Sequence, residues 1–286
     1  MLGDAIRSEG YRLSKNRTLV FLSVLFTPLL FALGGIGFHV ISKTTGDQAA
    51  AAVGLSTAAS AAPVNLGDAL AMGASWGANG FILVFMLIAG ATLYAGDYRW
   101  ETWRLITPRN GRVWLLLGKV GVFKLLALAA MIFFLIAAFV FFIAQAVVYQ
   151  RPLSFSYGAA EAGQFALVWL LSWTRIVQFA MIALLTAVMT RSLLAALFVP
   201  WALGFVQTLL GQFMPVIGWE PQMWLPQLLL PGLAYDTLKA AVTPGPMTAP
   251  FTDATVWRSL ISLALWTLVP LGLSIAWFGR QDLSKE

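Results

Sequence analysis

A chain of 286 residues that is 59% hydrophobic and 10% charged, with a mean hydropathy of +0.81, carries more apolar surface than a soluble interior can hide, since soluble domains are about 45–50% apolar. The absence of cysteine excludes disulfides and thiolate metal sites. The net charge of +6 is accounted for by basic residues in cytoplasmic loops and calls for no nucleic acid.

Uninterrupted runs rich in Leu, Ala and Phe match the roughly 20 residues that cross about 30 Å of hydrocarbon. They lack the alternation of barrel strands. The fold class read here is an all-α integral membrane protein, a single transmembrane domain over residues 1–286 with six transmembrane helices.

Residues 1–17, "MLGDAIRSEGYRLSKNR", alternate charge with Leu2, Ile6, Tyr11 and Leu13. They read as an N-terminal amphipathic interfacial helix, weakened by Gly10, or as a basic tail that only sets topology. Span one, Leu19 to Ile41, is too long for the apolar core of a signal peptide, despite the cleavage-like "AASAAP" beyond it. His39, the only histidine, is expected to be interfacial and hydrogen-bonded. The Ala, Gly and Ser tract from Ser42 to Gly73 is expected to be mobile or weakly helical.

Span two covers Ala74 to Ala95. Span three, Trp114 to Tyr149, is long enough for its Lys119 end to project into the cytoplasm. Spans four and five are Gly163 to Met189 and Leu193 to Phe213. Residues 214–253 hold seven of the thirteen prolines yet stay apolar, so short outer-leaflet or re-entrant helices are expected rather than another crossing. Span six is Thr255 to Phe278. With the N-terminus inside, thirteen of the eighteen basic residues lie on the cytoplasmic side, and both termini are expected there.

No catalytic constellation is recognisable: no paired histidines, no nucleophile with a base, no metal set. The string "GRVWLLLGKV" lacks the spacing and the hydroxyl of a phosphate loop. An ATP-independent carrier is disfavoured because no carboxylate falls deep in a span. Arg175, near the centre of span four, costs about 2.5–3.5 kcal/mol there. It has either a structural role or a substrate-contacting one, with Gln178, Gln145 and Gln207 as candidate neighbours.

Between spans two and three, residues 97–112 read "DYRWETWRLITPRNGR", with six charges and two tryptophans. Trp100 and Trp103 are three apart and would share a helical face beside a Glu101–Arg104 pair. Pro108 and Gly111 stop that helix. A plain loop with interfacial Trp and topogenic Arg is the alternative.

At these residues the sequence resembles the ABC-2 type permeases, the membrane subunits of one class of ABC transporters. The resemblance rests on Asp97, Arg99, Glu101, Thr102, Leu105, Ile106, Pro108, Arg112, Gly118 and Lys119. It extends to the order of elements and to the ending "FGRQDLSKE", where Gln281 departs from a second basic residue. The resemblance implies a cytoplasmic coupling helix that docks on a separate ATPase, here through Arg99, Trp100, Glu101, Thr102, Trp103, Arg104, Leu105, Ile106 and Pro108. Trp100 and Trp103 would be the apolar anchors.

It further implies two cytoplasmic ABC ATPase subunits and a second permease chain, forming a homodimer or heterodimer. ATP and Mg are expected on the partner, with no cofactor in this chain, and the location is a cell inner membrane. Spans two and five commonly line the route in that family. The candidate path residues are Asn79, Thr92, Arg175, Gln207 and Thr208, suited to exporting a hydrophobic or amphipathic cargo or else acting as interhelical glue. A non-transport membrane scaffold recruiting a cytoplasmic protein through the same loop is the alternative function.

Overall fold

An apolar run in hydrocarbon has to satisfy its own backbone polar groups, and the helix does so within one segment. In the computed structural model each predicted run is helical, apart from a break near the start of the second. Residues 2–52, 62–100, 102–103, 111–243 and 251–282 are described. Helix α1 (Leu2–Lys15) and α2 (Arg17–Val20) lead through π-helical turns at Phe21–Phe26 into α3 (Thr27–Ala52). Then come α4 (Gly67–Trp76), α5 (Gly80–Arg99), α6 (Arg112–Val148), α7 (Ala159–Thr190) and α8 (Leu193–Phe213). Two short helices, α9 (Trp224–Leu229) and α10 (Pro231–Val242), precede α11 (Asp253–Arg280). Among the described residues, six helical stretches are long and apolar enough to cross a membrane: Arg17–Gln48, Gly80–Arg99, Arg112–Val148, Ala159–Thr190, Leu193–Phe213 and Asp253–Arg280. The protein is a helical, multi-pass membrane protein.

Local chemistry sets the helix boundaries. Asn79 accepts a hydrogen bond from the Ile82 backbone N–H at 3.0 Å and caps α5. This corrects the expected start of span two: Ala74 belongs to α4, and the chain breaks at Gly77–Asn79 before the crossing begins. Arg191, at φ 56°, takes the left-handed turn that ends α7, and Ser192 caps α8 through the Ala195 N–H. Within the tract expected to be mobile or weakly helical, the described residues include the end of α3, which reaches Ala52, and the start of α4 at Gly67.

Helices α6 and α7 form the centre. Helix α6 packs against α1, α3 and α4, and α7 against α5, α8 and α11. Their buried side chains include Phe123, Phe134, Met181 and Leu184. Helix α8 exposes Trp201 and Phe205, whose rings stack at 5.9 Å. A helix apolar on its outer face as well as its inner one is suited to lipid or to another membrane helix.

Two ends can be distinguished. On the distal side, a short parallel ladder pairs β1 (Val64–Asn65) with β2 (Leu153–Ser154). Lys43 donates to the Val148 carbonyl at 2.7 Å and ties α3 to α6. The proline-rich segment forms α9 and α10, which are fastened to α11 by polar side chains. Gln227 of α9 donates to Thr237 of α10 and accepts from Ser259 of α11, both at 3.1 Å, and Trp266 donates to the Leu228 carbonyl at 2.7 Å.

His39 is buried, with neither ring nitrogen hydrogen-bonded within the described structure. It packs edge-on to Tyr149 and tilted against Phe141, whose centroid is 4.5 Å away. The expectation that this histidine is hydrogen-bonded is therefore corrected; its ring serves as an aromatic packing group.

Candidate functional site

The side opposite the β ladder gathers α1, the end of α5, the start of α6 and the end of α11. Helix α1 is amphipathic, and Ala5 and Glu9, four apart, are its buried face. Ala5 lies on Gly118 of α6 and the neighbouring Ile6 on Gly121. A Cβ added at Gly118 would stand 2.8 Å from the Ala5 Cβ, and one at Gly121 would stand 2.9 Å from Ile6 Cδ1. The two glycines thus let α1 approach the α6 backbone closely.

That approach assembles a closed ring of four charges. Lys119 places its Nζ 3.1 Å from Glu9 Oε2 and 2.5 Å from Asp97 Oδ2. Arg12 completes it, with Nη1 2.9 Å from Glu9 Oε1 and Nη2 2.6 Å from Asp97 Oδ1. Signs alternate around the ring, so it is neutral overall. The Lys119 and Asp97 side chains are 2% and 1% exposed. Arg12 stands half in solvent, and its hydrogen bonds to Asp97 raise its guanidinium pKa above the usual value against the opposing effect of burial. The ring is a joint between three segments distant in sequence, with every charge countered.

The loop after α5 is tied to this ring. Thr102 donates its hydroxyl to Asp97 Oδ1 and its backbone N–H to the Asp97 carbonyl. The Trp103 ring lies 5.3 Å from Lys119 Nζ and 4.6 Å from the Phe278 ring at the end of α11. Nearby, Arg112 donates to the Gln281 carbonyl at 2.6 Å, closing the C-terminus of α11. Gln281 accepts from the Tyr98 hydroxyl at 2.9 Å and donates to the Val188 carbonyl at 2.5 Å. One glutamine therefore joins α5, α7 and α11.

The two tryptophans do not share a face. Trp103 is 1% exposed and Trp100 72% exposed, with the Arg99 guanidinium 5.3 Å from the Trp100 ring. The expectation of a shared helical face is corrected: α5 ends at Arg99 with Trp100 as its cap, so helical spacing no longer relates the pair, and Trp103 packs into the chain's own core. Glu101, Arg104, Leu105, Ile106 and Pro108 lie outside the described residues. Sequence reasoning missed Glu9 and Arg12 as partners of Asp97 and Lys119; the close pair Gly118 and Gly121 beside a lysine was the available signal.

A second constellation surrounds Arg175, halfway along α7. Its Nη1 donates to the Gly232 carbonyl at 3.3 Å, and its guanidinium lies 4.5 Å from the Tyr235 ring centroid. Gln207 of α8 accepts from the Gly232 N–H at 2.9 Å. The start of α10 is thereby held between Arg175 and Gln207. Asp236 Oδ1 stands 3.8 Å from Arg175 Nη1, beyond hydrogen-bond length.

Arg175, Gln207, Gly232 and Asp236 line a cleft of about 440 Å³ that also includes Thr208. Of the three glutamines proposed as neighbours, Gln207 alone shares a partner with Arg175 among the described residues. Asn79 and Thr92 do not join this cleft: Asn79 is a helix cap, and Thr92 bonds back to the Ile88 carbonyl at 2.8 Å. Among the described residues no group of three or more His, Cys, Asp or Glu side chains is placed to hold a metal ion.

No family model matches the sequence, and no curated protein matches it at a significant level.

Proposed function

We propose that the chain is the permease subunit of an ABC-2 type transporter, driven by a separate ATPase that docks on the loop between the second and third spans. In this reading both termini and that loop face the cytoplasm, the bilayer is a cell inner membrane, and two permease chains work with two ATPase subunits. The cargo is hydrophobic or amphipathic and moves outward. ATP and Mg act on the partner, and this chain is not itself an enzyme.

The observation that supports this most directly is the attachment of the loop to the charge ring. Through Asp97 and Thr102 the loop is joined to α5, through Lys119 and Trp103 to α6, through Glu9 and Arg12 to α1, and through Phe278 to α11. A pull on the loop is transmitted to four helices at one point instead of being absorbed by a slack connection. Four of the ten residues that carry the family resemblance, Asp97, Thr102, Gly118 and Lys119, take part in this joint. Trp100 remains on the surface beside Arg99, an aromatic and a cation of the kind that dominate protein interfaces.

Purification of the tagged chain in mild detergent tests the reading. A co-purifying soluble protein with a phosphate loop, whose ATP turnover responds to cargo, is expected. Cargo movement in liposomes without ATP or an ATPase would overturn it.

A further inference from the structure

The cleft at Arg175 continues into a second depression. A groove of about 720 Å³ between α5 and α8 is lined by Phe81, Phe85, Trp201 and Phe205, and it shares Arg175, Gly204 and Thr208 with the cleft. Both volumes fall within the roughly 300–1,000 Å³ of small-molecule sites. The first end carries the polar groups Arg175, Gln207 and Asp236 and the other is lined by aromatic rings, with Arg175 at their junction.

The polar end has unspent hydrogen-bonding capacity. Gln207 is 7% exposed, yet its Nε2 has no partner among the described residues, and Arg175 Nε is likewise unpaired. Buried donors of this kind ordinarily find an acceptor. Asp236 is 67% exposed and stands too far from Arg175 for a hydrogen bond. An arginine with spare donors and an exposed carboxylate thus stand side by side across one cleft. An anion alone would meet Arg175 but be repelled by Asp236, and a cation alone the reverse. A headgroup carrying both charges satisfies each.

We propose that this composite cavity binds a single-chain zwitterionic amphipath, its anionic group on Arg175 and Gln207, its ammonium on Asp236, and its chain along the α5–α8 groove. As an assignment of cargo class the inference rests on the transport reading above. As a binding site it is independent of that reading, so binding is measured on the full chain without ATPase or ATP.

The probes are lysophosphatidylethanolamine, lysophosphatidate and monoacylglycerol of the same chain length, each brominated along the chain, together with chain-free phosphoethanolamine as competitor. Quenching of tryptophan fluorescence in detergent reports binding. The zwitterion is expected to bind about tenfold tighter than either chain-bearing competitor. Asp236→Asn, a change at an exposed position, should abolish its advantage over lysophosphatidate while binding persists. Arg175→Met should weaken both phosphate-bearing probes about tenfold and leave monoacylglycerol unchanged. Phosphoethanolamine should compete only weakly. Equal binding of the three amphipaths, or an unaltered preference in Asp236→Asn, overturns the headgroup assignment. Full competition by phosphoethanolamine overturns the groove as chain site. If binding holds while ATP-driven transport fails, the transport reading falls and the site stands.

Discussion

Lys119 of α6 and Asp97 of α5 meet at 2.5 Å with both side chains almost wholly removed from solvent. Glu9 and Arg12 of α1 close the circuit, so each charge has two opposite neighbours. A buried ion pair is a weak source of stability relative to apolar packing, but loss of one member is costly because a counter-charge is stranded.

Lys119→Met leaves Glu9 and Asp97 with only Arg12 to share, and a destabilisation of about 3–5 kcal/mol is expected. Adding Asp97→Asn removes the stranded carboxylate and should recover part of that loss, giving a coupling energy of about 1–3 kcal/mol. Thermal unfolding of the two single variants and the double variant in detergent measures it. Additive losses would mean that the two groups do not act as one unit.

Gly118 sets how closely α1 lies on α6. Substitution by Val introduces branched atoms where even a Cβ falls 2.8 Å from the Ala5 Cβ and 3.1 Å from the Ala5 carbonyl carbon, helical backbone that cannot easily give way. Gly118→Val is therefore expected to lift α1 while the apolar spans remain inserted, and to make tryptic cleavage after Arg7 and Arg12 faster. Unchanged cleavage rates in the variant would show that α1 tolerates the displacement without leaving its seat.

Arg175 is anchored by one long hydrogen bond and by aromatic faces. Arg175→Met keeps much of the side-chain volume and removes a charge unfavourable to insertion. Membrane insertion should be preserved while ATP-driven transport by the assembled complex falls, on the order of tenfold if the charge contributes about 1.4 kcal/mol to cargo recognition. Transport at the level of the unaltered chain would leave Arg175 a purely structural role.

The six spans were legible because burial in hydrocarbon imposes length and composition on a contiguous run, which a single sequence displays directly. The start of the second span was not, since the break at Gly77–Asn79 depends on one asparagine side chain folding back onto the Ile82 N–H. The charge ring was illegible for a different reason. Its contacts join Arg12 to Asp97 across 85 residues and Glu9 to Lys119 across 110, and nothing local distinguishes a loop carboxylate from one that a distant helix will cover. The tryptophan pair misled because the three-residue spacing has meaning only while the helix continues, and α5 ends at Arg99, before both of them. His39 misled because its nitrogens suggested a partner, whereas the side chain is enclosed by rings.

The separation of those tryptophans yields the sharpest test of the docking proposal. Trp103 packs against Tyr98, Phe278 and Lys119, so Trp103→Ala opens a cavity in the joint and should destabilise the chain by about 3–5 kcal/mol. Among the described residues the Trp100 ring meets the Arg99 guanidinium, and it is largely exposed, so Trp100→Ala should leave the unfolding temperature near that of the parent. If the loop docks on an ATPase, the same exposed change should reduce ATPase recovery in pull-down from detergent extracts, since aromatic truncation at an interface centre costs about 2 kcal/mol or more. The two variants thus divide stability from association. Full ATPase recovery with Trp100→Ala would remove this tryptophan from the docking surface, whereas a large drop in its unfolding temperature would place it in the fold instead.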